Sequence, residues 1–325
     1  MKTLCVIIPC LNEEKTIGNV ISRIPKHISG IDKIATIVID DGSTDNSGSI
    51  ARSHGARIIR NSVSRGVGYA FRAGIEESLR QNADIVVNID GDGQFNPEDI
   101  ESLIAPLCED AADIVTASRF KNKEFHLDMP KTKYWGNQIV SRIVSFLTGL
   151  QIHDASCGFR AYNQKAALNI NLFGDFTYTH EVLLDLAFKG MRICELPLQI
   201  RGVREHGTSR VAHSLLNYAF HSLRIMFNTY RDFKPFKLFS TLSLIFFIIS
   251  SALGAFFFGH YLVTGRFSGH LWAGFLSGFM FFTALSFFIT ALITDKLSRM
   301  RENQERILFT LKRNNLEHDQ SSIHE

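Results

Sequence analysis

The chain has 325 residues, a formal net charge of +3 and a 45% hydrophobic fraction. That length holds one large soluble domain and something more. The small charge, with no basic run interleaved with aromatics, excludes nucleic acid as a partner. The five cysteines form no C-x-x-C pair, which suits a reducing compartment better than a disulfide framework.

From the N-terminus, short apolar runs alternate with helical stretches up to residue 119. Residues 4–8, 34–39, 56–60, 85–89 and 113–117 read as strands, and residues 14–24, 47–54, 67–79 and 97–107 as helices. This alternation predicts an α/β fold whose sheet is largely parallel and covered on both faces. The first apolar run is not read as a signal peptide, because Asn12-Glu13-Glu14 follows it with no small-residue cleavage pattern. Further on we expect a helix at 134–148, a loop through 154–159, a helix at 180–189, a strand at 192–199 and a loop at 202–209.

Residues 214–236 have a helical period. Leu216, Phe220, Leu223, Phe227 and Tyr230 share one face, and Asn217, His221, Arg224, Asn228 and Arg231 lie toward the other. Such a helix either packs on the domain or lies in a membrane surface. Two runs of 28 residues without Asp, Glu, Lys or Arg follow, at 238–265 and 267–294. As helices they extend about 42 Å, more than the roughly 30 Å hydrocarbon core of a bilayer. They predict a transmembrane hairpin turning near 265–269. Lys234 and Lys237 precede it, and Lys296, Arg299 and Arg301 follow, whereas the turn carries only Arg266. The positive-inside bias places the large domain and both termini on the cytoplasmic side. The expected layout is a catalytic domain (1–212), an amphipathic juxtamembrane helix (213–236), a hairpin (237–295, with spans at 238–262 and 270–294) and a cytoplasmic tail (296–325). In that tail a helical pattern continues and then fades into polar sequence.

The residues that could carry chemistry cluster where strands end, which is where open α/β sheets bind ligands. Pro9-Cys10-Leu11-Asn12-Glu13-Glu14 follows the first strand, and Asp40-Asp41-Gly42-Ser43-Thr44-Asp45 the second. Either segment also reads as helix capping. Arg65-Gly66-Val67-Gly68 could set a cation and backbone N–H groups near phosphate. Asp90-Gly91-Asp92-Gly93-Gln94 follows the apolar run 85–89. Two carboxylates one residue apart can hold a hard divalent cation that bridges nucleotide phosphates. Taken alone, such a pair is also what a solvated Asp/Gly turn looks like.

Taken together, these segments resemble the family 2 glycosyltransferases, which have a GT-A (Rossmann-like) fold. The likeness continues through Ser118-Arg119-Phe120, Asp154-Ala155-Ser156-Cys157-Gly158-Phe159-Arg160, Glu195-Leu196-Pro197 and Arg204-Glu205-His206-Gly207-Thr208-Ser209-Arg210. That series is similar to the dolichol-phosphate mannose synthase and polyprenyl-phosphate glycosyltransferase branch. The resemblance covers about residues 4–212 and implies a site. Pro9, Asn12 and Glu13 would line the base and ribose, and Asp40 or Asp41 would contact the base. Arg65 stands where the family often has Lys, on the nucleotide-sugar side. Asp90, Asp92 and Gln94 would surround Mg²⁺ or Mn²⁺ on the diphosphate. Arg119 and Arg204 would bind phosphate, with Ser209 and Arg210 nearby. Lys133 and Asn137 would help hold the acceptor phosphate, and Asp154 and Glu181 would line the sugar pocket. Asp92, Arg119, Asp154 and Arg204 are the implied catalytic set.

The expected activity is inverting transfer of a sugar from a UDP-sugar or GDP-mannose to a polyprenyl (dolichyl or undecaprenyl) phosphate. The expected partners are that donor, that lipid and the bilayer, and self-association is compatible with the sequence. Two alternatives stand beside this reading: a family 2 enzyme acting on a glycan or glycolipid hydroxyl, and a non-catalytic nucleotide-binding membrane scaffold. A processive synthase would show a Gln-x-x-Arg-Trp signature, and neither Trp135 nor Trp272 sits in one. A nucleotidyltransferase finds no P-loop or GxGxxG after the first strand.

Overall fold

The apolar runs before residue 200 pair into one sheet, with strand order β3-β2-β1-β4-β6-β5-β7. Its strands are β1 (Thr3–Cys10), β2 (Lys33–Asp40), β3 (Arg57–Arg60), β4 (Ile85–Asn88), β5 (Ile114–Ser118), β6 (Arg160–Asn163) and β7 (Ile193–Pro197). The helices are α1 (Ile17–Ser22), α2 (Ser47–Ser53), α3 (Val67–Arg80), α4 (Ile100–Cys108), α5 (Lys131–Thr148), α6 (Gln164–Asn169), α7 (Thr179–Phe188), α8 (Leu215–Phe233), α9 (Pro235–Thr264) and α10 (Leu271–Ser321). The computed structural model describes residues 1–122, 129–172, 178–201, 215–267 and 269–321.

Alternate residues of β1 feed two core layers, as a two-residue period requires. Leu4, Val6 and Ile8 join one layer with Ile100, Leu103 and Phe159. Cys5 and Ile7 join the other with Phe71, Tyr162 and Val182. Both faces are therefore covered, as expected from the near-continuous apolar strands. A third layer joins Val144 of α5, Leu183 and Leu184 of α7 and Met226 of α8.

The sheet departs from the expectation in one strand. β6 runs antiparallel to both β4 and β5, while the remaining pairings are parallel. Its sequence, Arg-Ala-Tyr-Asn, lacks an apolar run because a buried arginine opens it. α6, which follows directly, was likewise not expected. Asn163, which caps it through a bond from the Ala166 N–H, is the sequence signal that could have marked its start.

The chain divides into two compact units, residues 1–227 with 308–325, and residues 228–307. The second unit holds the apolar hairpin. α9 and the apolar part of α10 are long and apolar enough to cross a membrane by length and composition. Small and hydroxylated residues line the contact between the two helices. Ser243 donates to the Ala284 carbonyl at 2.8 Å, and Ser250 and Ser277 each donate to the other's carbonyl at 2.9 Å. This is close helix packing of the kind used where no hydrophobic drive separates helix from solvent. Large side chains such as Phe275 and Phe282 face outward. Lys234 separates α8 from α9, and Pro235 at the first position of α9 explains the break, since the residue before proline disfavours helix.

The helical pattern expected beyond residue 295 continues through the polar sequence of the tail. α10 runs to Ser321, and its end packs within the first unit. Leu316 enters the layer around Tyr162, and Phe309 packs against it. Lys312 donates to the carbonyls of Ile170 (3.2 Å) and Leu168 (3.4 Å) and to Asn171 Oδ1 (2.9 Å). Residues 309, 312 and 316 share one helical face too sparse in apolar residues to stand out as a pattern.

Candidate active site

The loops after β1, β2 and β4 are laced together by side chains that cap each other's backbone. Asn12 takes a positive φ of 54°. Its N–H donates to Ser43 Oγ (2.9 Å), and its Oδ1 accepts from the Thr44 N–H (2.7 Å). The Glu13 N–H donates to Ser47 Oγ at 2.7 Å, and Thr16 Oγ1 donates to the Gly91 carbonyl at 2.7 Å. Pro9, in register with Ile39 of β2, starts this seam.

The structure separates the two aspartates after β2. Asp41 is buried and accepts from Asn61 Nδ2, Ser64 Oγ and the N–H groups of Arg65 and Gly66, all at 2.8–3.1 Å. It fastens the loop that carries Arg65. Asp40 is also buried; its Oδ1 accepts from the Ser43 N–H, and its Oδ2 lies 3.5 Å from Arg60 Nε. The loop presses so close that a Cβ on Gly42 would lie 2.9 Å from the Ser64 nitrogen, and Gly42 has φ +80°. Gly42→Ala is therefore expected to cost about 1–3 kcal/mol through strain alone. A lowered melting temperature together with weaker nucleotide binding would check it; unchanged values in both would refute it.

The carboxylates after β4 lie on the same edge. Asp92 is 2% exposed, and its Oδ1 accepts the Gln94 N–H at 3.0 Å. Gln94 also pairs with Arg201, the backbone N–H of Arg201 donating to its carbonyl (3.2 Å) and its Nε2 donating to the Arg201 carbonyl (3.3 Å). Asp90 faces the chain at Gly158, where a Cβ would lie 3.1 Å from Asp90 Oδ2 and equally close to the Tyr178 hydroxyl. A side chain at this position would have to push both groups back by a few tenths of an ångström. Burial, then the Asp90 charge, pushes the Tyr178 phenol well above its ordinary range. Asn88 donates to the Gly158 carbonyl (2.8 Å) and to the Tyr178 oxygen (2.7 Å), fixing both walls beside Asp90.

At the end of β5, Arg119 is gripped from below. Its Nε and Nη2 donate to the two oxygens of Asp154 at 2.7 and 2.8 Å, and its own backbone N–H donates to Asp154 Oδ2 at 3.0 Å. Asp154 is fully buried. Burial alone would raise its pKa, but the Arg119 charge and hydrogen bonds outweigh it and hold the carboxyl below its usual range. Asp154 is thus the buried anchor of Arg119. Arg119 Nη2 also donates to Ser156 Oγ (2.8 Å), which donates to Asn137 Oδ1 of α5 (2.8 Å). Glu195 of β7 accepts from the N–H groups of His153 and Asp154 at 2.9 Å and from His153 Nδ1 at 2.6 Å.

One loop, residues 154–160, thus meets Asp90 at Gly158 and Arg119 at Asp154 and Ser156. Arg160 secures its far end. This arginine is fully buried and donates to the carbonyls of Thr179 (2.7 Å) and Ala155 (2.9 Å) and to Thr116 Oγ1 (3.3 Å). His180 donates from Nδ1 to the same Ala155 carbonyl at 3.1 Å. Burial and the Arg160 charge depress the His180 pKa to about 4. The folded pKa lies below the unfolded one, so the unfolded state binds more protons between about pH 6.5 and 4. Stability is expected to fall as pH drops through that window, and less so in His180→Gln. Melting curves at pH 7, 6 and 5 test this, and parallel slopes for both proteins would refute it.

The remaining expected residues are placed as follows. Arg65 is exposed and lies over the Tyr69 ring at 3.6 Å. Glu181 is 9% exposed in the first turn of α7, and Lys133 lies in the first turn of α5. Arg204, Ser209 and Arg210 lie outside the described residues. Ser156, Glu195, Arg160 and Asn88 were not singled out from the sequence as site residues. The first three stood inside the motifs that carried the resemblance. Asn88 showed only as a polar residue within an apolar strand.

Residues 5–170 match the profile described as Glycosyl transferase family 2. The UDP-N-acetylglucosamine–dolichyl-phosphate N-acetylglucosaminyltransferase of Methanococcus voltae is 34% identical over 182 residues, 51% of this chain and 71% of that protein. The dolichyl-phosphate hexose transferase of Haloferax volcanii is 32% identical over 199 residues, 61% of this chain and 82% of that protein. Among solved structures, glucosyl-3-phosphoglycerate synthase from Mycobacterium tuberculosis, in complex with Mn²⁺, UDP and glucosyl-3-phosphoglycerate, superposes with a TM-score of 0.55 at 23% identity. That match covers 70% of this chain and 80% of the other, and it shows a shared GT-A fold.

Proposed function

This chain belongs to glycosyl transferase family 2, and we propose that, as an enzyme of that family, it moves a sugar from a UDP-sugar or GDP-mannose to a polyprenyl phosphate. The observation that carries the reading is the 154–160 loop. It lies beside Asp90 on one side and the anchored Arg119 on the other, so a donor diphosphate and an acceptor phosphate would meet beneath it. The named activities of the Methanococcus and Haloferax relatives support the acceptor class.

The chemistry explains the residue types. A phosphate monoester has a second pKa near 6, so at neutral pH it is already mostly dianionic and needs little help from a base. This agrees with Asp154 and His180 both being committed to structure. The difficulty is repulsion. Two unit charges about 6 Å apart repel by about 3 kcal/mol at an effective dielectric near 20. Arg119, held bidentately by Asp154, brings its positive charge to the acceptor phosphate. A phosphate oxygen bonds to the anomeric carbon as the bond from that carbon to the nucleoside diphosphate breaks, with inversion.

Asp90, Asp92 and the side-chain amide oxygen of Gln94 are hard oxygen donors that suit Mg²⁺ or Mn²⁺. Among the described residues no cluster of three or more His, Cys, Asp or Glu forms a site complete in itself. The pair would hold a cation together with oxygens of the donor diphosphate, and the structural relative was solved with both Mn²⁺ and UDP. When bound, the cation neutralises charge on the departing diphosphate.

The apolar hairpin supports an acceptor that stays in the bilayer, since extracting a polyprenyl tail costs about 0.8 kcal/mol per CH₂. The basic residues flanking the hairpin support a cytoplasmic catalytic unit. The test incubates membranes containing the protein with radiolabelled sugar nucleotides and polyprenyl phosphate. Label entering the organic phase, dependent on the added lipid phosphate, is the expected result. Label transferred only to a hydroxyl acceptor, or no transfer from any donor, would overturn the proposal.

A further inference from the structure

α6 is six residues long and ends among buried side chains, Leu168, Ile170 and Leu172. The last carbonyls of a helix find no partner within it. Here cationic side chains from three other elements supply the donors, as lysines and arginines near helix C-termini can. Lys189 of α7 donates to the Asn169 carbonyl at 2.7 Å, and Arg72 of α3 donates to the Leu172 carbonyl at 3.1 Å. Lys312 of α10 donates to the carbonyls of Leu168 and Ile170 and to Asn171 Oδ1. On the same helical face as Lys312, Leu316 and Phe309 pack on the layer that contains Leu168, Ile170, Leu172 and Tyr178. The other face is solvated, with Arg313 paired to Glu317 at 3.3 Å and both more than half exposed. From residue 308 onward these turns of α10 belong to the first unit.

The layer that receives Leu316 also reaches the candidate site. Tyr178 is 2% exposed and stacks on Phe71 with ring centroids 4.1 Å apart. Its hydroxyl accepts from Asn88 and, together with Asp90, flanks Gly158. We propose that residues 308–321 form an intramolecular clasp, in which Lys312 is a positioning residue for the nucleotide side of the site. Capping α6 fixes the course of residues 168–172, and Leu316 closes the layer in which Tyr178 is seated beside Asp90. A lysine suits this task, because its ammonium serves several acceptors while its methylenes lie on apolar surface. With the ammonium removed, buried carbonyls lose a charged donor, and leaving such groups unsatisfied is costly. The segment then shifts or opens to water, and the seat of Tyr178 loosens with it. The clasp stands on the contacts alone, whereas its effect on the nucleotide rests on the transfer reading above.

The test uses full-length Lys312→Met, which keeps the stem and removes the ammonium. Amide hydrogen exchange across residues 164–172 is expected to quicken about tenfold, with exchange in β1 unchanged. Leu316→Asp, which opens the same contact from its apolar side, should reproduce that change. Affinity for Mn²⁺–UDP or Mn²⁺–GDP, whichever the wild type binds, should weaken about tenfold in Lys312→Met, equivalent to about 1.4 kcal/mol. Lys312→Arg should recover most of it. In the transfer assay the loss should fall on KM for the sugar nucleotide and leave KM for polyprenyl phosphate unchanged. Wild-type exchange across 164–172 in both variants would overturn the clasp. Faster exchange with unchanged nucleotide affinity, or an equal rise in KM for both substrates, would overturn the positioning role of Lys312. If the wild type binds neither diphosphate, the nucleotide reading fails and takes the positioning role with it, and the exchange rates still decide the clasp.

Discussion

Asp154→Ala is expected to remove nearly all transferase activity and to lower the melting temperature by roughly 6–20 °C. The stability effect follows from burial. Arg119 is itself only 15% exposed and donates two side-chain bonds to the fully buried Asp154. Deleting one partner of a buried ion pair leaves the other charge uncompensated, at a cost of about 3–5 kcal/mol. For a unit of this size each kcal/mol corresponds to about 2–4 °C. The activity effect follows from geometry, because the freed guanidinium no longer has one direction. Arg119→Lys separates the two effects. It keeps a charge but forfeits the fork that matches a carboxylate on one side and a phosphate on the other. We expect a folded protein with a modest loss of stability and a raised KM for the lipid phosphate. An Asp154→Ala protein with wild-type melting and turnover would remove the anchor role altogether.

The second large effect is expected at the acidic pair. Asp92→Asn preserves side-chain shape and an oxygen able to accept the Gln94 N–H that Asp92 now receives. It deletes the negative charge. Transfer should fall roughly a hundredfold to a thousandfold, the range seen when one electrostatic stabiliser is removed from a developing anion. EDTA should abolish wild-type transfer, with Mg²⁺ or Mn²⁺ restoring it, and the variant should need more metal for half-maximal rate. Near-full activity of the variant, or transfer indifferent to EDTA, would show that the diphosphate leaves without a cation. The thermal transition of this variant should stay close to wild type, which distinguishes it from Asp154→Ala.

Much of this arrangement was legible before any coordinates. The β-branched runs at 4–8 and 34–39 lie within β1 and β2, because strands buried on both faces leave an apolar signature that tolerates few other readings. The strand-end clusters also read correctly as one edge, since parallel strands carry their C-terminal loops to the same side. The roles of individual side chains were less accessible. Asp154 looked like a ligand-facing carboxylate because nothing in Asp-Ala-Ser-Cys-Gly-Phe-Arg indicates that Arg119, 35 positions earlier, consumes both its oxygens. Asp40 and Asp41 were indistinguishable as neighbours, and only the fold of residues 61–66 over Asp41 separated them.

The primary structure by itself determined what depends on local period and residue type: the α/β class, the family, the hairpin-length apolar helices and the presence of paired carboxylates after an apolar strand. The tertiary structure decided what depends on which distant groups meet. It placed an antiparallel β6 behind a buried arginine, paired Asp154 with Arg119, and docked Leu316 and Lys312 of the polar tail. The physical reason is the same in each case. Periodicity and propensity act over a few residues, whereas the cost of burying a charge is settled only by the partner that folding brings to it.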